Sequence, residues 1–127
     1  MMMTQLIINN SITLPYASMD KYAAWEEPLS VQLDMISGRR VVEQRGLVWR
    51  IRYQYDYMGN ALMRQLLGAL RGGGILNVQF LPDTGDALLT STFLRESMAE
   101  PTFAFGRDGI GYWHGVEFEL REVSPHD

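Results

Sequence analysis

From Leu47 to Tyr57 the chain alternates two kinds of side chain with almost no exception. Leu47, Trp49, Ile51, Tyr53, Tyr55 and Tyr57 fall on one parity, and Arg50, Arg52, Gln54 and Asp56 on the other. A period of two puts alternate residues on opposite faces of an extended strand, and a helix cannot gather them on one side. The pattern predicts a strand with an apolar face in a core and a charged face in water. The same residues allow a second arrangement, with rings turned to solvent to stack on bases and arginines set for phosphates. Two observations weigh against it. The rings share their face with Leu47 and Ile51, and burying each aromatic contributes about 1.5–3 kcal/mol. The chain also has a net charge of -4, where a general nucleic-acid binder is usually basic.

Other segments read less simply. Residues 4–15 hold two β-prone runs around Asn9 and Asn10, which tolerate positive φ and suit a tight hairpin, although one irregular strand fits too. Residues 16–30 show no clean period and read as loop with a helical turn at most. Val31, Leu33 and Met35 alternate with Gln32 and Asp34 over 30–37. Leu62, Met63, Leu66, Leu67 and Leu70 recur at helical spacing and predict an amphipathic helix over about 60–71, capped by Asn60 and ended by Gly72. Strands are expected at 75–81, with Leu76, Val78 and Phe80 inward, and at 87–96, joined by the turn 82–86. Phe103 and Phe105 fit a short strand. A last strand covers 110–123, with Val116, Phe118 and Leu120 inward and Glu117, Glu119 and Arg121 outward. One helix among many strands excludes an alternating parallel fold. The expected class is mainly β (α+β), an antiparallel β-sandwich or partly open barrel with one flanking helix. At 127 residues the chain is expected to form a single domain, 1–127.

Sites for chemistry are sparse. Without cysteine there is no disulfide framework, thiolate nucleophile or zinc–thiolate site. Of the two histidines, His126 lies near the end, and His114 beside Asp108 or Glu117 lacks any nucleophile motif. Gly72–Gly74 follow a helix and meet its carbonyls, whereas a phosphate loop precedes one. The turn carboxylates Asp83 and Asp86 lack the calcium-loop pattern. The expectation is no catalytic, cofactor or metal site and no enzyme. No apolar run approaches the roughly 18 residues of a membrane span, and the first residues lack a secretory pattern. The most informative surface is 37–46, where Arg39, Arg40, Glu43 and Arg45 surround Val41 and Val42 between two strong strands. It reads either as an assembly arm or as an ordinary solvated hairpin. Arg39, Arg40, Val41, Val42 and Arg45, with Arg50 and Arg52 on the polar strand face, form the candidate assembly interface.

Taken together, LIINNSITLP, SGRRVVEQRGLVWRIRYQY, ALMRQLLGAL, ILNVQFLPDTGDALLTSTF and GYWHGVEFELREV resemble small tail-associated proteins of bacteriophages and prophages. The resemblance spans nearly the whole chain. It implies the architecture of tail-tube and distal-tail modules, a β-sandwich or barrel with one helix and a long hairpin. It also implies a viral structural protein of the tail or baseplate, a ring-forming homo-oligomer that contacts other tail proteins. Such a protein would reside in the virion tail, and in host cytoplasm during assembly. The chain lacks the carbohydrate-binding insertions of larger distal-tail proteins, which argues against host recognition. The alternative is a small nucleic-acid-binding module built on Arg50, Arg52 and the neighbouring rings, and a ligand carrier or enzyme using the barrel interior is a third reading.

Overall fold

A computed structural model describes residues 4–15, 17, 21–34 and 40–124, and their side chains apart from those of 29–34 and 40–45. Eight strands and one helix follow in order: β1 (Leu6–Ile8), β2 (Ile12–Thr13), β3 (Tyr22–Asp34), β4 (Arg40–Gly59), α1 (Asn60–Arg71), β5 (Leu76–Phe80), β6 (Leu89–Ala99), β7 (Thr102–Arg107) and β8 (Ile110–Glu122). Every pairing among them is antiparallel, in the order β2-β1-β5-β6-β8-β4-β3, with β7 added to β8. The fold is mainly β with a single helix, and the sheet is open.

Turn chemistry sets the local connections. Asn9 and Asn10 both take positive φ between β1 and β2, where Ile8 faces Ile12. Asp108 and Gly109, at φ 54° and 77°, join β7 to β8 with Arg107 opposite Ile110. Positive φ at both central residues follows the right-handed twist of the flanking strands. β6 and β7 pair with successive halves of β8, so residues 89–107 make one long arm broken at Glu100–Pro101.

The sheet curls until its two sides meet through side chains. The Tyr22 hydroxyl donates to the Leu81 carbonyl at 2.7 Å and accepts the Leu81 N–H at 3.0 Å. Nearby, the Asp83 N–H donates to the Ala24 carbonyl at 3.1 Å. Rings fill the interior. Phe80 lies 5.3 Å from both Trp49 and Phe93 in edge-on contacts, and Tyr53 lies 5.5 Å from Phe118. Trp49, Ile51, Tyr53, Leu66, Phe80 and Phe118 share this core. Val116 and Leu120 join them, as the alternation of β8 requires. Gln5, itself buried, spans residues 5–17 by donating to the Ala17 carbonyl and accepting the Ala17 N–H.

Four sequence expectations need correction. Residues 22–30 are strand, not loop. Among the described residues β3 has its ladder on one side only, and its Ala and Glu residues blur the periodicity of such a half-covered strand. Asn60 does not cap α1 by a side-chain bond, because Gly59 holds the N-cap position and the Asn60 Oδ1 accepts the Trp113 indole N–H. The left-handed residue after the helix is Gly73, since Gly72 remains right-handed at φ -64°. Finally, Tyr57 is 51% exposed although its parity is that of the core rings.

Candidate assembly surfaces

β4 is the axis of both surfaces. Its second half pairs with β8, from Arg50–Arg121 to Gly59–Tyr112, and only over Arg50–Tyr53 does β3 pair with it on the other side as well. Its first part pairs with β3 alone among the described residues, through Ser30–Gln44 to Asp34–Arg40. The two-stranded ribbon thus runs on past the sheet, and its base is marked chemically. The register shifts between Pro28 and Ser30, opposite Gly46 at φ 106°. An extra residue of this kind bends the bulged strand and increases its twist. Pro28, with no N–H to donate, sits on a strand with a free edge, where none is needed.

The ribbon coincides with the segment that the sequence marks as an arm. Arg40, Val41, Val42 and Arg45 lie on its β4 strand, although their side chains are outside the described residues. Arg39 lies outside the described residues altogether. Arg50 and Arg52 stand on the polar face of the sheet, away from the ribbon. Arg50 pairs with Glu27 at 3.4 Å and with Glu119 at 3.8 Å, and Arg52 stands opposite Glu119. Arg121 pairs with Glu96 at 3.4 Å. Such surface pairs are worth about 0–1 kcal/mol each, but they commit these charges within the chain.

The other end of β4 carries a surface that alternation alone conceals. The row of rings that begins in the core at Trp49 runs out of the protein at Tyr57. Tyr57 faces His114 across the ladder, with ring centroids 5.6 Å apart. Phe105 lies 5.4 Å from Tyr57 and stacks on Tyr112 at 5.1 Å. On the opposite parity, Met58 is buried and faces Trp113, whose indole bonds to Asn60 at the start of α1. This end of the sheet is therefore apolar on both faces. The start of α1 lies against one, and water meets the other. Phe103, on the Trp113 side, is 60% exposed, and Ile110 at the hairpin tip is 48% exposed. A contiguous uncovered apolar patch on a sheet is a site of association or a liability for aggregation.

His114 packs on Tyr57, and Asp108 is held in the β7–β8 turn. Among the described residues no group of three or more His, Asp or Glu side chains comes together to hold a metal ion. Two shallow clefts of about 230 and 220 Å³ flank Met63, Leu67 and Arg71 on α1. Ligand pockets generally occupy about 300–1,000 Å³ and bring several polar groups together. The sheet is open and not a closed barrel, and its curled inner side is filled by the ring core. No helix among the described residues is long and apolar enough to cross a membrane. Comparison with protein-family models, curated proteins and solved structures finds no match to this chain.

Proposed function

We propose that this chain is a structural subunit of a bacteriophage or prophage tail or baseplate, working by association with copies of itself and with other tail proteins and not by catalysis. The observation that carries the association is the β3–β4 ribbon. A two-stranded hairpin is at best marginally stable in water unless a further layer or strand supports it. Here thirteen-residue and twenty-residue strands extend, over Ser30–Asp34 and Arg40–Gln44, beyond any further strand among the described residues. The resemblance of the five sequence segments to tail-tube and distal-tail modules supports the viral setting. A mainly β single-helix fold with a long hairpin is the architecture that this resemblance implies. The nucleic-acid alternative loses support because Trp49 and Tyr53 are buried and Arg50 is engaged by two glutamates.

The test is sizing by light scattering across protein concentrations at low salt. The native chain is expected to form discrete oligomers. Replacing Arg39, Arg40 and Arg45 with glutamate is expected to weaken them while the circular dichroism spectrum and melting temperature stay unchanged. A native chain that remains monomeric at high concentration and low salt overturns self-assembly. Neighbouring genes for a tape-measure or portal protein would support the viral setting, and an operon of unrelated enzymes would count against it.

A further inference from the structure

We propose that β7 pairs edge to edge with β7 of a second copy, in a two-fold antiparallel contact. The inference rests on self-association as such and does not involve the arm. All six residues of β7 are exposed, and β8 is its only partner strand among the described residues. Its outer edge therefore presents unpaired N–H and C=O groups, a template that a further strand completes. The register shift between Phe103 and Phe105 turns the two rings to opposite faces. Phe103 packs edge-on against Trp113 and Phe105 stacks on Tyr112, yet the two remain 60% and 40% exposed. A partner laid on one face leaves the other ring in water. A strand added along the edge covers both.

Charge selects a second copy as that strand and fixes its direction. Glu100 lies just before β7 and Arg107 ends it. Arg107 is exposed, with no ion pair among the described residues. Glu100 accepts Arg71 at Oε2 and its side chain stays 71% exposed, and a carboxylate has a second oxygen to offer. With a two-fold axis between Phe103 and Ala104, Arg107 of each copy lies opposite Glu100 of the other, so opposite charges meet at both ends. A parallel pair in register would set arginine beside arginine and glutamate beside glutamate. A two-fold contact uses up the edge, so this pairing stops at a dimer. The arm, on β3 and β4, lies on the other side of β8 and stays free for further contacts.

The test uses the full chain with Arg39, Arg40 and Arg45 replaced by glutamate, so that arm contacts are weakened, and reads dimer formation by light scattering. Arg107→Glu and Glu100→Arg are each expected to weaken the dimer about tenfold, because each brings like charges together at both ends. The protein with both substitutions is expected to recover it, once the melting temperatures of all four proteins have been shown to agree. Amide exchange followed by mass spectrometry gives a second readout. Residues 102–107 are expected to gain protection as concentration rises, which a partner docked on one face does not provide. Dimers that ignore both single substitutions, or that the double substitution fails to recover, overturn the inference while leaving self-assembly intact. So does exchange over 102–107 that is independent of concentration, or an arm variant that stays monomeric while the native chain assembles. A native chain that is monomeric throughout overturns both.

Discussion

The Glu122 carboxylate accepts the backbone N–H of Trp49 at 3.1 Å, one position beyond Arg50–Arg121, the last pair of the β4–β8 ladder. It also accepts the Ser91 hydroxyl at 2.5 Å, and the side chain is almost fully buried. A side chain thus continues the ladder where the backbone of β8 turns away, at the base of the β3–β4 ribbon. Glu122→Leu keeps the volume but removes the acceptor, and is expected to cost about 1.5–3 kcal/mol. Glu122→Gln retains an acceptor and should lose less. Urea unfolding of the three proteins measures both differences.

Trp49 touches Phe80 across the curled sheet and is 6% exposed. Trp49→Ala leaves a ring-sized void among residues that cannot all collapse into it. A loss of about 3–5 kcal/mol is expected, read from the shift in the urea midpoint.

Stability should fall at alkaline pH, through two phenols. Burial pushes the Tyr22 hydroxyl above its usual range, partly offset by its bond to Leu81, and burial together with the neighbouring Tyr55 does the same at Tyr53. Tyr53 donates to the Pro15 carbonyl at 2.9 Å. The folded chain keeps both protons at a pH where the unfolded chain has released them. Their contribution is therefore complete below about pH 10, the ordinary tyrosine value, and is lost as pH rises above it. Melting temperatures between pH 8 and 12 should drop steeply for the native chain. Tyr22→Phe with Tyr53→Phe should flatten that drop, at a cost of about 1 kcal/mol per lost hydrogen bond near neutrality.

Two glycines should respond in opposite directions to alanine. Gly115 lies in β8 at φ 81°, and Gly115→Ala forces a side chain into the left-handed region, for about 1–2 kcal/mol. Gly68 is helical and a methyl group there would meet nothing within 4 Å. Gly68→Ala should therefore stabilise by about 0.5–1 kcal/mol. Thermal melts of the two variants against the native chain check the signs.

The legible parts of this fold are those where one face is buried and the other is wet. The helix bounds, β5 and the inward residues of β8 all follow from a clean period. Only residues 22–30 of β3 escape, because this stretch of an edge strand, with Ala24 buried and its neighbours half-covered, carries no strong alternation, whereas Val31 and Leu33 do alternate with Gln32 and Asp34. The ring row escaped for a different reason. Period two tells which residues share a face, but it does not tell where the covering layer ends, and Tyr57 lies past that end. The arm was visible as composition, since arginines around Val41 and Val42 between strong strands are hard to place in a core. That it is a ribbon continuous with β3 and β4 depended on pairings between residues far apart in sequence, which no local pattern reports.

The pairing of β1 with β5 also sets a timetable. Asn9 reaches Asn77 across 68 residues, and Leu6 and Ile8 find their partners only when Phe80 and Val78 have been made. At about 5–20 residues per second of synthesis, Leu6 and Ile8 wait on the order of 3–15 seconds for the strand that shelters them. The late strands need no such delay, because the tight Asp108–Gly109 turn lets β7 and β8 pair as soon as they emerge. Leu6 and Ile8 are thus made well before the strand that shelters them, and in that interval these apolar residues are open to chaperones and to other nascent copies alike.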